Sequence, residues 1–204
     1  MKNHINKSLV MALICLAGFG KAAQSQSVYA IKDTDDIDIK LQGTSTLHKW
    51  EMDARTVEGT AQFGFKPGEE NNLTSLKSLF FALEVNDLKS DSKGLDKNAY
   101  KALKSDEFKD IHYKLTSATV LPVKGNRYLL KTLGKLTIAG VTREIAMDVS
   151  CEVNADGTIT CMGSDKLNMT DYNVKPPTFM LGAMKTGDEI TLDFTLIYKK
   201  QKGA

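Results

Sequence analysis

From Leu129 to Val149 the chain reads as two arms of alternating apolar and polar residues, folded back at Ala139 and Gly140. In the first arm Leu130, Gly134, Leu136 and Ile138 share one face, and Lys131, Lys135 and Thr137 share the other with Leu129 and Leu133. In the second, Ile145, Met147 and Val149 alternate with Arg143, Glu144, Asp148 and Ser150. A period of two sets one face on an apolar interior and the other toward water, so both arms are predicted strands. Gly140 tolerates the positive φ of a tight turn, which makes the arms antiparallel neighbours.

The same period recurs along most of the chain. Ile37, Ile39 and Leu41 alternate with Asp36, Asp38, Lys40 and Gln42, which puts those aspartates on an outer, solvated face. A second strand begins near Trp50, with Met52 and Ala54 on its face. A break at Glu58-Gly59 precedes Ala61, Phe63 and Phe65, predicting a bulge or sharp bend. After Lys66-Pro67-Gly68 and a polar run to Asn72 come Leu79, Phe81, Leu83 and Val85; later faces carry Ile111, Tyr113 and Leu115, then Ile190, Leu192, Phe194, Leu196 and Tyr198. Only Asp91 to Asp110 departs, because Leu95, Ala99, Tyr100 and Leu103 recur at helical spacing. The expected class is all-β, with eight or more antiparallel strands and one principal helix over about 91–105, packed on the sheet or across one end. A sheet of this size can close into a barrel, whose interior holds one small ligand or only side chains.

The amino terminus changes the domain picture. Lys2 and Lys7 precede an apolar run from Leu9 to Phe19, with small residues Ala22 and Ala23 after it. That run is too short for the roughly 20 residues that span a bilayer, so residues 1–23 are expected to be a cleaved secretory signal. Residues 24–204 are then one domain, without linker, repeat or transmembrane segment. Cleavage removes Lys2, Lys7 and Lys21 and no acid, so 27 basic and 25 acidic residues become 24 and 25, and the formal charge moves from +2 to −1. Without a basic run there is no electrostatic case for nucleic acid.

Cys151 and Cys161 flank Asn154-Ala155-Asp156-Gly157. If Gly157 closes a three-residue loop, Asn154 pairs with Thr158 and the cysteines face each other, so a disulfide is expected, with a pair of buried free thiols as the alternative. Catalytic spacing is absent: the sequence has no HExxH, CxxC or GxSxG. His112 falls on the solvent side of its strand, His48 beside Trp50 reads as ordering a loop or touching a ligand head group, and Asp171 reads as a turn residue. Phe179, Met180, Leu181 and Met184 form an apolar loop, either a lid over a lipid or a plug in a barrel end.

Gly134-Lys135-Leu136-Thr137-Ile138-Ala139-Gly140-Val141-Thr142-Arg143 closely resembles the G-x-LTI-x-GVT-[RK] signature of the YceI-like family of exported proteins. Asp106 to Ile111, Met169 to Val174 and Gly187 to Leu192 resemble further segments of that family in the same order, so the resemblance runs from about Val28 to Lys199. Within the second segment Met169, Thr170 and Asn173 stand where the family pattern has arginine, serine and glycine, and GTSTLHKWEMDA departs from its usual first strands. The resemblance implies a lipocalin-like periplasmic barrel whose elongated interior binds an isoprenoid chain, such as a polyprenyl lipid or quinone tail.

The resulting expectation is a non-enzymatic carrier or storage protein, with Trp50, Phe63, Phe65, Phe81, Leu83, Tyr113, Leu115, Leu136, Met147 and Phe194 facing the ligand. No cofactor, metal or nucleic acid is implied, and a homodimer is left open. Two alternatives stand beside it: a lipid- or quinone-modifying enzyme using His48 and Asp171, and a packed structural or stress-response domain with no cavity.

Overall fold

The computed structural model describes residues 26–32, 34–54, 56–179 and 184–201. The leader expected over residues 1–23 lies outside them, as do Met180, Leu181 and the side chains of Phe179 and Met184. Among the described residues the strands are β1 (Gln26–Ala30), β2 (Ile37–Ser45), β3 (Lys49–Ala54), β4 (Val57–Lys66), β5 (Glu69–Glu84), β6 (Leu88–Lys89), β7 (Asp110–Lys124), β8 (Arg127–Ile138), β9 (Val141–Val153), β10 (Ile159–Asn168), β11 (Thr178–Phe179) and β12 (Met184–Lys200). One α-helix, α1 (Lys93–Leu103), lies between β6 and β7.

Every strand pairing is antiparallel, and eight strands close a ring in the order β1-β4-β5-β7-β8-β9-β10-β12, shut where Tyr29 and Ala30 pair with Lys200 and Lys199. Closure leaves the ring without a free edge. Strand β12 also carries β2, which leads through β3 to β6. The fold is therefore the antiparallel barrel with one principal helix that the alternation implied.

The wall at β8 keeps strict alternation. Tyr128, Leu130, Thr132, Gly134, Leu136 and Ile138 are buried while the residues between them are exposed or half-buried. Ala139 and Gly140 have φ of 47° and 78°, the two positive angles of a primed hairpin turn, and Ile138 pairs with Val141 across it. Inward residues thus keep one register over the whole hairpin.

Two details differ from the sequence expectation. Strand β4 runs through Glu58-Gly59 without a bulge; Gly59 is small because Ile31 packs on it, with its Cδ1 2.5 Å from where a Cβ would stand. The register shifts come later, at Gln62/Phe63 and on both sides of Phe65. Asp36 is not solvated either, since a 3-10 turn over Thr34–Asp36 buries it and Lys199 pairs with its carboxylate at 2.9 Å. A buried carboxylate needs such a partner, and this one comes from the far end of the chain.

Helix α1 begins where the Ser92 hydroxyl accepts from the Leu95 amide and ends at Lys104 in the left-handed region. Tyr100 fixes it to β6: its hydroxyl receives Lys89 Nζ at 2.8 Å and donates to the Leu88 carbonyl at 2.7 Å. The opposite stripe, Leu95, Ala99 and Leu103, turns toward the barrel interior.

Candidate functional site

The barrel is hollow. The inward faces of its strands and the apolar stripe of α1 enclose a cavity of about 220 Å³, and among the described residues no charged side chain belongs to its wall. One water needs about 10–15 Å³ on this scale, so the space admits on the order of fifteen to twenty water-sized centres. A space so large and so apolar suits a hydrocarbon chain better than solvent.

Nine residues expected to face a ligand line this space: Trp50, Phe63, Phe81, Leu83, Tyr113, Leu115, Leu136, Met147 and Phe194. Phe65 does not. It is buried on the inward side with Phe63, but it packs on Tyr29 with ring centroids 6.2 Å apart instead of lining the open space. Residues that alternation could not reach complete the wall, among them Ala102 on α1 and Met169, Tyr172 and Val174 around the 3-10 turn Met169–Tyr172. Thr132 also lines it, and its place on the inward face of β8 was the available signal.

One end of the interior is packed shut with aromatic rings. Phe63 is fully buried, meeting Tyr29 edge-on at 5.3 Å and Tyr198 at 5.9 Å. Cys151 and Cys161 sit beside Tyr198, directly opposite each other as the Asn154–Thr158 hairpin requires. They stand as free buried thiols, so the expected disulfide is not formed. The pair is joined by a thiol hydrogen bond, which together with burial pushes the Cys161 thiol well above its ordinary value.

Toward the β8–β9 turn the wall changes character. Tyr113 and Tyr172 belong to one apolar cluster with Leu136, Ile138, Leu167 and Val174. Tyr113 lies flat against Gly134: ring atoms and the hydroxyl come within 2.2–2.5 Å of where a Cβ would stand, so only glycine allows this approach. Both hydroxyls are buried without a hydrogen-bond partner among the described residues. Thr132 lies beside Tyr113, but its hydroxyl donates to the Met147 carbonyl at 3.1 Å and its contact with the phenol falls short of hydrogen-bonding geometry. Burial raises the Tyr113 phenol, and burial followed by the Asp171 and Asp165 carboxylates pushes Tyr172 up to about 12, with Arg143 opposing. Both stay neutral at ordinary pH.

Asn173, next to Tyr172, has φ of 55°, the left-handed region that asparagine tolerates and glycine favours. Where the family pattern has arginine, Met169 lies on the cavity wall. His48 and Asp171 are exposed and neither lines the cavity. The Asp171 carbonyl accepts from Arg143 Nε at 2.8 Å, and Trp50 Nε1 donates to the Thr44 carbonyl at 3.2 Å, so these groups order turns. Among the described residues no His, Cys, Asp and Glu cluster suits a metal ion, and no helix is long and apolar enough to cross a membrane.

The model of the YceI-like domain matches residues 27–198. Comparison with curated proteins finds no match. Among solved structures, BcnA of Burkholderia cenocepacia is 17% identical, covering 81% of this chain and 98% of its own, with a TM-score of 0.63. A polyisoprenoid binding domain from Saccharophagus degradans, implicated in plant cell wall breakdown, is 11% identical over 85% of this chain and 98% of its own, with a TM-score of 0.64. The YceI protein of Campylobacter jejuni is 19% identical over 71% of this chain and 82% of its own, with a TM-score of 0.52. At these identities the likeness is one of fold.

Proposed function

The chain belongs to the YceI-like domain family, and on that premise we propose that it is an exported, non-enzymatic carrier or storage protein for an isoprenoid lipid, a polyprenyl chain or quinone tail. The observation that carries the reading is the hollow barrel, with an apolar wall that holds no charged side chain among the described residues. Each methylene transferred from water into such a wall is worth about 0.8 kcal/mol, so a few isoprene units bind tightly without an ionic anchor. The Saccharophagus neighbour, described as a polyisoprenoid binding domain, supports the ligand class. The apolar leader at Leu9 to Phe19 supports export to the periplasm. The non-enzymatic reading rests on His48 and Asp171 lying off the cavity, which leaves no acid and base facing a bound lipid.

Native mass spectrometry tests this before and after extraction with organic solvent. The expected result is one lipid per chain, lost on extraction and regained when a polyprenol or prenylated quinone is supplied. A protein that emerges empty and takes up neither contradicts the reading.

A further inference from the structure

Helix α1 has two unlike faces. Leu95, Ala99, Ala102 and Leu103 line the barrel cavity. At 3.6 residues per turn Lys93, Lys97 and Lys101 fall within about 80° of arc on the side away from those four, and all three are exposed. Lys104, the exposed residue that ends the helix, continues the row, since it borders the same shallow hollow on the outer surface. One helix is therefore cavity wall within and a line of cations without.

The row is left free of acids. Asp96, the only acid in the helix, is engaged elsewhere, its carboxylate accepting from the Ser90 amide at 2.8 Å and the Ser90 hydroxyl at 2.6 Å. On the strands Lys40, Lys66, Lys131 and Lys166 each pair with a carboxylate, whereas among the described residues none of the four helix lysines does. Lys89 joins them at the hollow, held by the Tyr100 hydroxyl, so five lysines stand there against two acids, Asp96 and Asp106. This excess of positive charge sits on a chain that is near neutral with or without its leader.

The arrangement suits a field of phosphates better than one bound anion. Lysine is a hydrated point charge on a flexible stem, without the rigid fork that fixes a single oxyanion. From Lys93 to Lys104 the row extends about 16 Å along the helix, enough to meet several head groups of a bilayer. The apolar face of α1 is committed to the cavity, so docking here is electrostatic and peripheral, without insertion.

We propose that the lysine face of α1 docks on an anionic phospholipid bilayer and so sets the helical wall of the cavity against the surface from which lipid is loaded. The loading step rests on the lipid-carrier reading; the docking does not.

Vesicle flotation measures docking, using phosphatidylcholine alone or with about a third phosphatidylglycerol. At low salt the protein is expected to prefer the anionic vesicles by at least about twentyfold, and to lose that preference at about 0.5 M salt. Lys97→Gln alone is expected to lower anionic binding about fivefold, and Lys93→Gln, Lys97→Gln, Lys101→Gln and Lys104→Gln together to abolish the preference. The same change at Lys114, Lys124, Lys131 and Lys135, exposed residues of β7 and β8, alters net charge equally and is expected to keep binding within about threefold of the wild type. Equal binding to both vesicles, binding that survives salt, or as large a loss in the strand variant as in the helix variant overturns the docking and leaves the carrier reading standing. Loading is measured with polyprenol supplied in anionic vesicles or in detergent. The fourfold helix variant is expected to load about tenfold more slowly from vesicles and to reach wild-type occupancy from detergent. Wild-type loading from vesicles overturns the loading step, and docking without polyprenol uptake from either source overturns the carrier reading instead.

Discussion

At one end of the barrel Tyr29, Phe63 and Tyr198 pack edge to face at 5.3 and 5.9 Å, and Tyr128 engages both hydrogen-bonding capacities of its hydroxyl. Toward the β8–β9 turn, Tyr113 and Tyr172 are as deeply buried, yet neither hydroxyl has a hydrogen-bond partner among the described residues. The same residue type has two roles. In the first region the interactions close within the protein and contribute to stability. In the second two hydroxyls are left without partners among the described residues, at a cost to stability.

The sharpest way to break the comparison is Phe63→Ala. Phe63 is completely buried between two tyrosines, so its truncation is expected to cost about 3–5 kcal/mol of unfolding free energy, measured by urea denaturation. A loss below about 1 kcal/mol would mean that this end is not the packed one.

Alkaline pH separates the regions next. The folded-state value of Tyr172 is about 12 against an ordinary 10.0, with burial as the main cause. Its contribution is complete below pH 10 and is lost as pH rises through 12, because the unfolded chain releases the proton first. Stability is therefore expected to fall between pH 10 and 12, by up to roughly 2 kcal/mol from this group. Tyr113 and Tyr198 shift the same way, so Tyr172→Phe is expected to make the decline shallower without abolishing it. An identical pH profile in the variant would show that Tyr172 is not the buried neutral phenol described.

The smallest effect is the most discriminating. Tyr128→Phe leaves the Leu73 amide without its acceptor and is expected to cost about 1–2 kcal/mol, while Tyr113→Phe is expected to be neutral or slightly stabilising. Parallel thermal melts of the ligand-free proteins measure both. Equal losses would erase the distinction between the two regions.

Much of this architecture was legible in the sequence, because a half-buried sheet writes its faces as a period of two. Strand β8 alternates without interruption and its turn carries glycine, so Leu130, Leu136 and Ile138 could be placed inside. Gly157 marked the hairpin that sets Cys151 against Cys161, although not whether the sulfurs bond. Phe65 is buried inward as its alternation says, but a period of two does not tell where along the barrel packed rings give way to open space, and Phe65 lies on Tyr29. Asp36 was misplaced because Lys199, its partner, is brought there only when β12 closes the ring. Tyr172 and Met169 sit in a short 3-10 turn with no period to reveal which way they point. The feature that matters most, two hydroxyls without partners, is a property of three-dimensional surroundings and has no signature in the chain.

The central claim is that lipid occupies the barrel interior. Ala99 on α1 faces the cavity, so Ala99→Trp sets an indole in the space from a residue that belongs to no strand of the ring. Uptake of a polyprenol by delipidated protein, counted by native mass spectrometry, is expected at one chain per molecule in the wild type and none in a variant whose circular dichroism is unchanged. Equal uptake by the two proteins would place the lipid outside the barrel and contradict the account.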